Sequence, residues 1–153
     1  MNKEFMDNVF KGIEEPHRLD IVNLIEGVLF VDDSKATKVN ATWFAMESYK
    51  APLIWITGGV ESEKTDYSVL DDLVKKKVKA IIVLPGDAPV HQMFRECAVI
   101  LRAEDMADAV KLAFKVSSYG DTVLLSPGLS SFHSFDGYED RGNQFKHAVL
   151  NHI

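Results

Sequence analysis

Apolar positions along this chain fall into two alternating patterns. Runs of four or five consecutive residues, mostly branched or aromatic, at 28–31, 53–57, 80–84, 98–101 and 122–126, read as strands buried on both faces. Between them, apolar residues recur three or four apart, as one face of a helix requires. Helices are expected over about 41–49, 67–77, 88–95 and 104–117, with a terminal one opening near Gly142. The inward faces are read as Ala41, Phe44, Ala45 and Ser48, with Trp43 and Met46 packing beside them; then Val69, Leu70, Leu73 and Val74; then Met106, Ala109, Val110 and Ala113; and last Phe145, Val149 and Leu150. Ahead of the first run, residues 20–25 meet it across Glu26-Gly27, a tight hairpin in which the glycine supplies positive φ.

Strands and helices alternating through short loops build a mostly parallel sheet covered on both faces. The fold expected is α/β and Rossmann-like, with about six strands, as one domain over 19–153. Residues 1–18 read as an interdomain linker remnant, being too short to bury a core of their own.

In open α/β sheets ligands bind beyond the carboxyl ends of the strands, against helix N-termini. Three polar loops stand at such places. Asp32-Asp33-Ser34-Lys35-Ala36-Thr37 follows the first run, with Thr37 or Asn40 as the candidate cap of the next helix. Gly58-Gly59 and a polar loop holding Lys64 and reaching Asp66 follow the second, and Pro127-Gly128-Leu129-Ser130-Ser131 follows the last. A hydroxyl at a helix start is ordinarily a cap and a loop lysine ordinarily solvated, so the residue types alone leave both a structural and a ligand role open.

Composition narrows the classes. A formal charge of −6 and a pI near 5.3 argue against nucleic acid or an anionic membrane surface as partner. The one basic run, Lys75-Lys76-Lys77-Val78-Lys79, fits the solvated C-terminal end of a helix. A single cysteine, Cys97 among apolar neighbours, excludes an internal disulfide framework, reads as a packed thiol and suits a reducing cytoplasm. No apolar run approaches the roughly 20 residues of a membrane span, and none of the five histidines shows metal-ligand spacing beside an acid or cysteine. Neither a phosphate loop of the G-x-x-x-x-G-K-[ST] type nor a G-x-G-x-x-G after a strand is present, which disfavours autonomous ATP binding and a nicotinamide oxidoreductase.

Asp33-Ser34-Lys35-Ala36-Thr37 resembles a signature of the Mur ligases that add D-glutamate. Leu124-Leu125-Ser126-Pro127, Ser131, Phe135, Tyr138 and Asp140-Arg141-Gly142 resemble the same family's C-terminal pattern, and residues 10–18, with His17-Arg18, resemble its interdomain linker. The likeness runs from about Phe10 to the end and would cover only the last third of such an enzyme. Gly128-Leu129-Ser130 and His133 depart from the usual residues, and Lys64 comes later in its loop than the family pattern has it.

The resemblance implies D-glutamate bound by Thr37, Ser131, Lys64 and the backbone near Tyr138, with Arg18, Asp33 and Lys35 toward nucleotide and phosphate. It implies ATP and Mg2+ held mainly by other domains, UDP-N-acetylmuramoyl-L-alanine as the second substrate, and no ligase activity from this chain alone. A stand-alone binding or regulatory module of the same fold is the alternative.

Overall fold

The computed structural model describes residues 16–60, 65–131 and 135–152. Lys64, His133 and nearly all of the expected linker lie outside them. The order of elements is β1 (Asp20–Ile25), β2 (Val28–Asp32), α1 (Val39–Ser48), β3 (Leu53–Gly58), a 3-10 turn (Ser68–Leu70), α2 (Asp71–Lys77), β4 (Val78–Leu84), α3 (Val90–Phe94), β5 (Val99–Arg102), α4 (Met106–Val116), β6 (Thr122–Leu125) and α5 (Tyr138–Asn151). One six-stranded sheet has the order β1-β2-β6-β3-β4-β5. β1 is antiparallel to β2 and every other pairing is parallel. The α/β architecture read from the sequence is the one observed.

Side chains alternate across a strand, so a continuous apolar run serves both faces of the sheet. Leu29 and Val31 of β2, Leu53 and Trp55 of β3, and Ile81 and Val83 of β4 pack with Ala45 and Met46 of α1, Leu73 and Val74 of α2, and Phe94 of α3. Phe30, Ile54, Ile56 and Ile82 point the other way, onto Val110 and Ala113 of α4 and Phe145 and Val149 of α5. The last strand in sequence, β6, lies in the middle of the sheet between β2 and β3. This placement brings the loops after β2, β3 and β6 to one edge, where α/β folds bind ligands. The hairpin ahead of β2 turns at Glu26 and Gly27, with φ of 51° and 78°, the left-handed pair that a two-residue turn of matching twist requires.

Four expectations shift. Helix α1 begins at Val39 after an extended Lys38 that makes no side-chain cap, so neither Thr37 nor Asn40 is the cap. Its buried face is Val39, Thr42, Ala45 and Met46, while Phe44 is 59% exposed and Trp43 is 39% exposed. The physical reason is Thr42: its hydroxyl is drawn inward to donate to the Ser126 carbonyl at 3.0 Å, a polar anchor that a hydrophobic pattern cannot register. Helix α5 starts at Tyr138, so Gly142 lies inside the helix, and it is buried. Val69 and Leu150, read as inward, are exposed.

Candidate functional site

The carboxyl ends of β2 and β6 lie side by side, Asp32 opposite Leu125, and the chain leaves both into polar loops. Asp33 N–H donates to the Leu125 carbonyl at 2.7 Å, which continues the ladder one residue past the strand. The Asp33 carboxylate then accepts from the Ser126 hydroxyl at 2.6 Å and from Leu19 N–H at 3.1 Å. Burial pushes its pKa up to about 7, against the pull of those two donors and the charge of Arg18. Asp32, wholly buried, accepts from Ser34 N–H at 2.9 Å and lies 2.6 Å from His17 Nδ1 and 3.9 Å from Lys146 Nζ. Burial raises its pKa too, with Ser34, His17 and Lys146 opposing. Two adjacent carboxyl groups are thus held under the site, each with its oxygens engaged.

Arg141 of α5 joins this floor from the other side. Its Nε donates to Ser34 Oγ at 2.8 Å, Nη2 to the Ser34 carbonyl at 2.6 Å and Nη1 to the Leu129 carbonyl at 3.0 Å. The Ser34 hydroxyl in turn donates to the Tyr138 carbonyl at 2.7 Å. Arg141 is 1% exposed; burial lowers its pKa to about 10, while Asp32 and Asp33 hold it up. At neutral pH it stays charged. One residue on, Gly142 sits so close to the floor that a Cβ there would lie 2.2 Å from His17 Nδ1 and 2.7 Å from Asp32 Oδ2.

Above the floor opens a cleft of about 730 Å³. Thr37 and Lys38 line it from the β2 loop, Thr65 and Asp66 from the β3 loop, Gly128 to Ser131 from the β6 loop, and 136–139 from the start of α5. Helix α5 enters through Gly137, at φ 135°, with no side-chain cap, so the first turn of a 14-residue helix meets the cleft without a capping side chain. Lys35 Nζ stands 5.9 Å from the centre of the Tyr138 ring, within cation–π range.

Of the residues singled out from the sequence, Thr37, Ser131 and Tyr138 come together on this cleft. Lys64 falls outside the described residues, although its neighbour Thr65 lines the wall. Arg18 and Lys35 lie on neighbouring backbone, joined by Lys35 N–H donating to the His17 carbonyl at 2.9 Å. Asp33 is only 4% exposed, with both carboxylate oxygens engaged from within, so in this structure it braces the loop.

Residues that the sequence reading passed over include Ser34, Thr42 and Ser126 as internal ties and Arg141 beyond its place in a motif. A signal existed for Arg141. It lies four residues before Phe145 and eight before Val149, on the inward stripe of the terminal helix, where a charge demands internal partners. The acidic rim at Asp66, Asp136 and Glu139 was also missed. Asp66 is kept in its charged form by Ser68 N–H, which donates to it at 2.9 Å.

No protein-family model matches the chain. Among curated proteins it is similar to the UDP-N-acetylmuramoylalanine–D-glutamate ligase of Porphyromonas gingivalis, 46% identical over 144 residues, covering 93% of this chain and 31% of that protein. The enzyme of the same name from Christiangramia forsetii is likewise 46% identical, over 93% of this chain and 32% of its own length. Among solved structures, the MurF ligase of Thermotoga maritima in complex with ADP matches with a TM-score of 0.59 at 16% identity, covering 91% of this chain and 32% of that one. The chain thus spans about a third of the length of the relatives it matches.

Proposed function

We propose, from the premise that this chain is homologous to the C-terminal domain of the Mur ligases that add D-glutamate, that its cleft binds D-glutamate and presents the amine for ligation. The observation that carries the reading is the convergence of Thr37, Ser131 and the start of α5 on one cleft at the carboxyl edge of the sheet. A diacid needs hydroxyl and N–H donors held rigidly. The two hydroxyls supply the first kind, and the uncapped first turn of α5 supplies the second with a dipole of favourable sign. Lys64, from the β3 loop, is assigned as the cationic partner.

The ligation so proposed is ADP-forming. The D-glutamate amine attacks the carboxyl carbon of UDP-N-acetylmuramoyl-L-alanine after that group has been activated by phosphoryl transfer, an amide bond forms, and ADP and phosphate leave. Arg18 and Lys35 are the cations on this chain assigned to the phosphate side. Among the described residues no group of three or more His, Cys, Asp or Glu is arranged to hold a metal ion. ATP and Mg2+ are assigned mainly to other domains of the ligase, the second substrate likewise, and the setting to the cytoplasm. The chain alone is expected to bind D-glutamate without turning it over.

Calorimetry with the two enantiomers of glutamate tests this. D-Glutamate is expected to bind, on the order of millimolar or tighter, and L-glutamate at least about tenfold more weakly. Equal affinities, or no heat from either at tens of millimolar ligand, would sink it. A second reading, a binding module of the same fold without catalysis, draws on the acidic rim of Asp66, Asp136 and Glu139, which is unusual around a site for a diacid. An ADP-release assay on the protein in its natural reading frame separates the two.

A further inference from the structure

We infer that Arg141 is the positioning residue that sets the separation of the two hydroxyl ligands in the cleft, an inference that rests on the D-glutamate reading above. Arg141 does not line the cleft. Its three hydrogen bonds nevertheless end close to both hydroxyls assigned to the ligand. Ser34, bonded through both its hydroxyl and its carbonyl, stands three residues before Thr37; Leu129 stands two before Ser131. The Ser34 hydroxyl carries the tie onward to the carbonyl of Tyr138, the first residue of α5.

The loop after β2 lies about a hundred positions from the other two segments, which are near neighbours in sequence. A backbone bond from Gly128 N–H to the Ala36 carbonyl, 2.8 Å, also joins the two loops, but it leaves α5 out. The guanidinium group reaches both loops from the helix itself. Its planar fork, with donors at fixed angles, imposes one relative placement on three acceptors. A lysine at the same position would keep the charge, yet a single rotatable ammonium cannot hold three acceptors apart at set distances. Burial sharpens the effect, since the carbonyls of Ser34 and Leu129 would lose their partner with no water at hand.

The test uses this chain with Arg141→Lys and, separately, Ser34→Ala, which removes only the hydroxyl bridge. Two quantities are read by NMR: amide hydrogen exchange in the native state, and D-glutamate affinity from titration of the cleft amides. In both variants exchange at residues 34–37 and 129–131 is expected to rise about tenfold or more, while β3 and β4 amides stay within about twofold. D-Glutamate affinity is expected to fall about tenfold.

Loops and affinity that hold steady while the melting temperature drops would overturn the inference, because Arg141 would then be a plain core brace. Equal acceleration of the β3 and β4 amides would overturn it as well. If the unaltered chain binds no D-glutamate, the proposed function fails, and the exchange measurement still decides whether Arg141 couples the loops. Should Arg141→Lys not fold, Ser34→Ala carries both readouts.

Discussion

The floor and the rim of the cleft are cut from the same loops, yet they follow different physics. On the floor, Asp32, Asp33, Ser126 and Arg141 are each at most 4% exposed, and each is hydrogen-bonded to another of these loops or to backbone. On the rim, Thr37, Lys38, Asp66 and Glu139 are exposed to solvent. Polar residues within a few positions of one another, indistinguishable by type, therefore split into those buried beneath the loops and those exposed at the cleft mouth, with Ser131, 4% exposed, lining the cleft from the buried side. Rigidity below is what allows precision above, because a binding group is only as well placed as the backbone that carries it.

Gly142→Ala strikes the floor hardest. In an ordinary helix interior this change is worth about 1 kcal/mol of stability. Here the methyl would intrude on His17 and Asp32, and a loss of about 3 kcal/mol or more is expected, a fall in melting temperature of roughly 6–12 °C. A rise in melting temperature would show that the floor is looser than described.

Asp33→Asn tests the floor's electrostatics. The folded pKa of Asp33 lies near 7, above the ordinary 3.8, so the native state holds a proton that the unfolded chain releases. Its contribution is full below about pH 4 and is lost as pH rises through about 7. Between pH 5 and 8 the asparagine variant should gain on the parent by on the order of 2 kcal/mol, read from denaturant midpoints. Parallel pH curves for the two proteins would remove Asp33 as a titrating group.

Ser126→Ala deletes the hydroxyl that serves the Asp33 carboxylate and lies 3.2 Å from Thr42 Oγ1. About 1–2 kcal/mol should be lost in chemical denaturation. The rim should behave in the opposite sense. Thr37→Val is expected to change stability by less than about 0.5 kcal/mol, while D-glutamate affinity falls about tenfold in calorimetry. If Thr37→Val destabilised the chain as much as Ser126→Ala, the division between floor and rim would collapse.

The strands were legible because each is an unbroken apolar run, and a sheet covered on both faces needs nothing else. Thr37 and Ser131, in the loops that follow strands in sequence, come to the cleft, and so does Tyr138, named through the family resemblance and placed at the start of α5. What misled was the helix face of α1. Phe44 was read as inward and Thr42 was not, whereas Thr42 is buried with its hydroxyl on the Ser126 carbonyl and Phe44 is exposed. For Asp33, named through the family resemblance, the structure adds two internal donors that brace its loop.

By itself, then, the amino-acid sequence settled the alternation of elements, the parallel sheet and the edge at which the polar loops gather, because hydrophobic period and turn chemistry act over a few residues. Which polar groups face inward was settled only by tertiary structure. Partners such as Ser34 and Arg141, or Asp33 and Ser126, lie about a hundred positions apart. A buried hydrogen bond is a property of two such places meeting with water excluded, and neither place alone carries it.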